Sequence, residues 1–217
     1  MAIRVFLADD HTVVRDGLRI LLEAQGDIEV VGDASDGRQV VALAQQLVPD
    51  VVVMDIAMPG LNGIDAAQEI RRACPSVQIL FLSMHSTNEH IFRALNAGAK
   101  GFLLKESAGA EVVQAVRAVA AGRRYFSEKI TDAACMYHDH PLRQAVLKSP
   151  IERLSPRERQ ILQLVAEGKT SAEIAEMLYL SAKSIETYRS RLMHKIGVSD
   201  LTALIKFAIQ HGLTTLG

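Results

Sequence analysis

The chain has 217 residues, enough for one large domain or two modest ones, and 49% of them are hydrophobic, enough for ordinary cores. A formal net charge of -1 gives no global sign of nucleic-acid or membrane affinity. Two cysteines, Cys74 and Cys135, are too few for a disulfide framework, the N-terminal residues turn acidic at Asp9-Asp10 too soon for a signal peptide, and no apolar run would span a bilayer; the expectation is a protein of the reducing cytoplasm with no membrane partner.

Through residue 123, five apolar runs alternate with helical patterns. The strand candidates are Ile3 to Ala8, Ile28 to Gly32, Val51 to Met54, Gln78 to Leu82 and Gly101 to Leu104. Between them, Val13, Val14, Gly17, Leu18, Leu21 and Leu22 fall at helical spacing, as do Val40, Val41, Leu43, Ala44 and Leu47. Further helices are predicted over about Gly63 to Ala73 and Asn88 to Asn96, and from near Ser107 to Gly122. Strict alternation of strand and helix predicts a parallel sheet with right-handed crossovers, covered by helices on both faces.

The third run enters Asp55 directly, and Met58-Pro59-Gly60 behind it must be loop. Asp55 therefore stands where a buried strand opens at the ligand-binding edge of an α/β sheet. Asp9 and Asp10 follow strand 1, Ser83 follows strand 4 and Lys105 follows strand 5, so all of them share that edge. Three carboxylates held together repel and need a cation. Oxygen ligands suit Mg²⁺, which takes one or two carboxylates plus a phosphate. Lys105 supplies a point charge for a phosphoryl oxygen, Ser83 a hydrogen bond, and Asp55 a carboxylate able to accept a phosphoryl group.

These residues resemble the receiver domain of two-component response regulators, over about residues 2–123 and including Pro59 after the acceptor. The resemblance implies a five-stranded flavodoxin-like sheet of order 2-1-3-4-5, with Asp55 as phospho-acceptor. It also implies Asp9, Asp10, Asp55 and the Ala57 backbone carbonyl as Mg²⁺ ligands, and Phe102 as switch aromatic; Phe102 also suits an ordinary sheet position, and the two roles are compatible. Glu106 departs from the proline common after the lysine, and Ser83 from the commoner threonine. Phosphoryl lifetime in the family depends on the positions held here by Ala57 and His85. Ala57 cannot orient a water, whereas His85 either does so or is simply solvated.

Residues 124–152 lack a long periodic segment and read as a linker, with Ser127 to Tyr137 as a short helix. His138-Asp139-His140 resembles a metal cluster, but no partner set follows at ligand spacing, so it reads as a solvated loop. Pro141 and Pro150 punctuate the stretch.

Residues 153–217 carry four helical patterns and no strand pattern. Ser155-Pro156-Arg157-Glu158 and Thr170-Ser171-Ala172-Glu173 are capping boxes, Ser181 caps a third helix ended by Gly197, and Ser199 is placed to cap a fourth. A tight turn at Tyr179-Leu180 joins a short helix to a longer one, as in a helix-turn-helix. Leu154-Ser155-Pro156-Arg157-Glu158-Arg159, Glu167-Gly168-Lys169, Glu173-Ile174-Ala175, Leu180-Ser181 and Lys195-Ile196-Gly197-Val198 resemble the LuxR-type effector domain. With the receiver, they make the chain resemble a NarL/FixJ-type response regulator. The resemblance implies a sensor histidine kinase and promoter DNA as partners, and a homodimer through about Asp200 to His211.

Opposite the apolar stripe of the third helix lie Lys183, Glu186, Thr187, Ser190 and His194. Glu186, Thr187 and Ser190 match base-reading positions of the family. Arg191 and Lys195 flank them and Arg189 lies nearer the core, in places suited to phosphates. Glu186 either accepts from a cytosine amine or pairs along its helix with Lys183 or Arg189. Residues 1–149 hold 15 Lys+Arg and 18 Asp+Glu, and residues 150–217 hold 9 and 7, so the DNA-facing part is only weakly basic at net +2. One rival is a phosphatase working through an aspartyl phosphate, but it would need an acid just after the nucleophile, and Asp55-Ile56-Ala57 has none. The other, a receiver serving protein interaction alone, leaves the helical part without a purpose. The chain thus reads as a regulator, taking part only in phosphoryl transfer and autodephosphorylation.

Overall fold

In a computed structural model of the chain, residues 2–84, 87–131 and 149–214 are described. His85, the His138-Asp139-His140 cluster, Tyr137 and Pro141 lie outside the described residues. The chain divides into two compact units, Met1–His140 and Pro141–Gly217.

The first unit is built on β1 (Ile3–Ala8), β2 (Ile28–Ala34), β3 (Val51–Asp55), β4 (Gln78–Ser83), β5 (Gly101–Leu104) and β6 (Tyr125–Phe126). They pair in parallel in the order β2-β1-β3-β4-β5-β6. The period of two sorts their side chains onto two faces. Val5, Leu7, Val51, Val53, Leu80, Leu82 and Leu103 join one core with α1 (Thr12–Glu23) and α5 (Ala108–Ala120). Phe6, Val52, Met54, Ile79, Phe81, Phe102 and Leu104 join the other with α2 (Gly37–Leu47), α3 (Gly63–Ala73) and α4 (Asn88–Asn96). Both faces are therefore dry, and every residue of β3 is buried.

Two features depart from the expected layout. Tyr125 and Phe126, expected in the linker, form a sixth strand: Tyr125 pairs with Gly101 and Phe126 with Phe102. A two-residue strand has no periodicity to read. Ile130 then enters the core beside Phe102, wholly buried, from a helical turn over residues 128–131. The second is a set of glycines against which backbone packs. A Cβ on Gly63 would meet the Asp55 carbonyl oxygen at 2.0 Å, and one on Gly37 the Leu61 carbonyl oxygen at 1.8 Å. These close approaches let α2 and α3 press against the loop behind Asp55.

The second unit opens with a 3₁₀ turn (Pro150–Arg153), then α6 (Pro156–Ala166), α7 (Ser171–Leu178), α8 (Ala182–Ile196) and α9 (Leu201–Gln210). Ile151, at the end of the expected linker, is wholly buried in the same core as Ile161, Ile174, Ile185 and Leu204. Both capping boxes form as read, at Ser155 and Thr170. The fourth helix starts differently: Asp200, not Ser199, is its N-cap, its carboxylate accepting from the Ala203 N–H at 2.8 Å. Ser and Asp cap equally well, and here the side chain that reaches the third helical N–H is Asp200. Tyr179 closes α7 in the left-handed region at φ 55° and is 96% exposed.

Replacing Gly63 with alanine is expected to destabilise the first unit by about 1–3 kcal/mol, because backbone rather than a side chain must yield. Gly17→Ala, within α1 where a Cβ would meet nothing within 4 Å, is expected to stabilise by about 0.5–1 kcal/mol. Urea titration of the two variants against the parent checks both signs.

Candidate functional site

The ends of β1, β3 and β5 bring Asp9, Asp55 and Lys105 together. The Lys105 ammonium lies 2.6 Å from Asp55 Oδ2 and 2.7 Å from Asp9 Oδ2. Asp9 is 2% exposed and Asp55 5%. The second Asp55 oxygen, Oδ1, accepts from the Ile56 N–H at 2.6 Å and the Ala57 N–H at 3.4 Å. Ala57 thus meets the carboxylate through its N–H, whereas the role expected for it from the sequence falls to its carbonyl. Ser83 is buried at the end of β4, and its carbonyl accepts from the Lys105 N–H at 2.9 Å. Phe102 is wholly buried, its ring 6.5 Å from that of Phe81.

Burial drives the Asp55 carboxyl above the usual carboxylate range. The Lys105 ammonium opposes this, and the Asp9 carboxylate adds to it. Burial pulls the Lys105 ammonium down, but Asp55 and Asp9 together outweigh it and its pKa ends above the ordinary value. The asymmetry is one of numbers: one ammonium has two anions, while each anion has a share of one ammonium.

That imbalance leaves room for a further cation. Asp9 Oδ2 and Asp10 Oδ1 are buried and accept no aligned hydrogen bond. Asp9 Oδ2 meets Lys105, and Asp10 Oδ1 meets His11 Nδ1 at 2.7 Å, as ion pairs outside hydrogen-bond geometry. Ligand atoms of Asp9, Asp10, His11 and Asp55 all lie within 4.8 Å of one another. The acidic cluster is of a kind that could hold a metal ion, and oxygen donors suit a hard one. His11 was not singled out from the sequence. Its signal was only that it follows Asp9-Asp10 at the N-cap of α1, where the ring turns back over the two preceding residues.

In the helical unit, Lys183, Glu186, Thr187, Ser190, Arg191, His194 and Lys195 of α8 are exposed, and Arg189 is half-buried. Some are already engaged. Arg189 donates to Ser171 Oγ at 3.1 Å, and the Lys195 ammonium reaches both Glu158 oxygens at 2.7 and 2.8 Å. The Thr187 hydroxyl donates back to the Lys183 carbonyl at 2.9 Å. Among the described residues Glu186 pairs with neither Lys183 nor Arg189, so its intrahelical alternative is not formed. Lys195 and Arg189, placed by sequence beside phosphates, bind within their own unit. Helix periodicity locates a side chain around an axis but cannot see that the carboxylate of Glu158 lies within its reach.

An acidic pocket at the rim of a doubly wound parallel sheet, followed by a small helix-turn-helix unit, defines a two-part signalling protein. The response regulator receiver domain model matches residues 5–117, and the model of bacterial regulatory proteins of the luxR family matches residues 152–208. The transcriptional regulatory protein LiaR of Bacillus subtilis is 40% identical over 97% of this chain and 99% of its own. Response regulator UvrY of Escherichia coli is 38% identical over 97% of this chain and 95% of its own. The structure of RcsB from Salmonella enterica serovar Typhimurium, bound to promoter P1flhDC with the phosphomimetic BeF3-, matches with a TM-score of 0.59. It is 28% identical and covers 99% of this chain and 100% of that one. The chain belongs to the two-component response regulators of the NarL/FixJ type, with a receiver domain and a LuxR-type helix-turn-helix domain.

Glu158 is pushed up by burial, but its bonds to Lys195 and Ser155 hold the carboxyl below its ordinary range. A depressed native pKa contributes stability that is present above the unfolded value of 4.5 and lost as pH falls through the native one. Glu158→Gln is therefore expected to lower the unfolding temperature of the helical unit at pH 7, with the deficit closing below about pH 4.5. Asp55 has the opposite sign: its raised native pKa gives stability present below 3.8 and lost as pH rises through the native value. In metal-free buffer, Asp55→Asn is expected to unfold a few degrees above the parent at pH 7, and level with it in acid. Calorimetry of the full chain across pH measures both.

Proposed function

We propose that this chain is a cytoplasmic transcriptional regulator switched by phosphorylation of Asp55 from a sensor histidine kinase. The observation that carries the reading is the Lys105 ammonium, 2.6 Å from Asp55 and 2.7 Å from Asp9, one cation between two buried carboxylates with Asp10 close by. An Asp55 oxygen attacks the phosphorus of the donor phosphohistidine; the O–P bond forms as the N–P bond breaks, and the imidazole leaves to take up a proton. Asp9, Asp10, Asp55 and the Ala57 carbonyl would hold Mg²⁺, which supplies positive charge to the phosphoryl oxygens. Lys105 places its ammonium on the phosphoryl group, and Ser83 hydrogen-bonds it. Phe102, on β5 alongside Ser83's strand, is the aromatic that answers the change. Ala57 has only a methyl group at the lifetime position, which leaves His85 to set that rate.

In the helical unit, α8 is the recognition helix. Its exposed face suits base contacts by Glu186, Thr187 and Ser190, with Lys183, Arg191 and His194 toward the backbone. The engagement of Arg189 and Lys195 supports a positioning part for them. A weakly basic unit binds DNA feebly as one copy, so a homodimer through about Asp200 to His211, on a two-fold site, is part of the proposal. Phosphorylation is then coupled to DNA affinity by about 1–3 kcal/mol, or roughly 5- to 150-fold. The sensor kinase is proposed from the receiver, the promoter from the helix-turn-helix; among the described residues no helix is long and apolar enough to cross a membrane.

Incubation with acetyl phosphate and Mg²⁺ is expected to add one phosphoryl group by intact mass, and Asp55→Asn to abolish it. The phosphorylated chain is expected to shift promoter fragments at several-fold lower concentration than Asp55→Asn does. A full adduct on Asp55→Asn would overturn the assignment.

A further inference from the structure

We infer that Arg15, on α1, is the positioning residue that holds the Asp9 backbone so that its carboxylate is presented to a divalent cation. The inference rests on the Mg²⁺ reading of the pocket above and adds to it a residue outside the acidic set. Asp9 is the first residue past β1, where the ladder ends. Its N–H donates to the Ala34 carbonyl at 3.2 Å, the last rung toward β2. Its carbonyl lies beyond the ladder in a residue that is 2% exposed, so water cannot readily serve it. Arg15 serves it: Nη1 donates to the Asp9 carbonyl at 2.7 Å. The same guanidinium is anchored from the side, Nε donating to Asp33 Oδ2 at 2.9 Å. Asp33 is itself held through Oδ1 by Arg19 at 2.6 Å. Asp9 is thus gripped at both backbone ends, and its side chain is steadied by the His11 N–H at 2.9 Å.

The planar fork of arginine makes this possible, since two donors at fixed angle bridge the Asp9 carbonyl and the Asp33 carboxylate; a lysine ammonium satisfies one or the other. Positioning and bare charge predict opposite signs. As a charge alone, a cation beside an acidic pocket repels Mg²⁺, so its removal would tighten metal binding. As a brace for Asp9, its removal loosens a ligand and weakens binding.

Half-saturating Mg²⁺, read from amide chemical shifts of the full-length chain, is expected to rise about tenfold in Arg15→Ala, a factor worth 1.4 kcal/mol. Arg15→Lys, which keeps the charge and folds more safely, is expected to rise several-fold rather than recover. The rate of phosphorylation by acetyl phosphate should then need more Mg²⁺ while its plateau stays near that of the parent. Equal or tighter Mg²⁺ binding in either variant overturns the inference. If the parent itself shows no saturable Mg²⁺ shift, the metal reading falls, and hydrogen exchange of the His11 amide in metal-free buffer decides for Arg15. Faster exchange in the variants upholds the brace; unchanged exchange overturns it.

Discussion

The Lys105 ammonium between two buried carboxylates is the interaction on which the rest depends. Asp9 and Asp55 sit at adjacent strand ends, dried by the sheet's two cores, and two such anions repel strongly without a counter-ion. Burial drives the Asp55 carboxyl up, and the one ammonium, shared with Asp9, does not offset it. The shortfall is useful. Three carboxylates against one ammonium leave the pocket anionic, a cluster of a kind that could hold a metal ion. The fold prepares that shortage, because β1, β3 and β5 end on one rim only if all strands run parallel.

Much of this was legible. Apolar runs broken by turn residues gave the first five strands and their helices, since strands buried on both faces leave long hydrophobic stretches. Asp9, Asp10, Asp55, Ser83 and Lys105 stood out because each follows a run, so their gathering needed only the parallel rule. What escaped was whatever depends on reach. His11 follows the acidic pair as an unremarked polar residue, and only the turn of its backbone puts its ring over both carboxylates. Lys195 looked free on a wheel diagram, yet Glu158, 37 positions earlier, claims it. Asp200 and Ser199 compete for one cap, and sequence cannot say whose oxygen arrives.

The two units are stabilised in different ways. The receiver relies on a sheet packed on both sides, with polar groups at its rim. The helical unit has a smaller core and ties its helices at their ends: capping boxes start α6 and α7, Glu158 links α6 to α8, and Arg189 links α8 to α7. Helix α8 is thereby fixed by Arg189 and Lys195, two cations that a charge count would leave free. Its exposed face keeps Lys183, Glu186, Thr187, Ser190, Arg191 and His194.

The sixth strand has a practical side. Gly101 and Phe102 present their outer backbone to Tyr125 and Phe126, and Ile130 closes the core beneath them. A receiver fragment cut at residue 123, where the periodic pattern fades, would strip that cover and bare β5, whose sequence is Gly101-Phe102-Leu103-Leu104. An open apolar strand of this kind is a template for self-association. Fragments carried through Thr131 keep the seam closed, so misfolding or clumping of a shorter piece would report on the cut and not on the receiver.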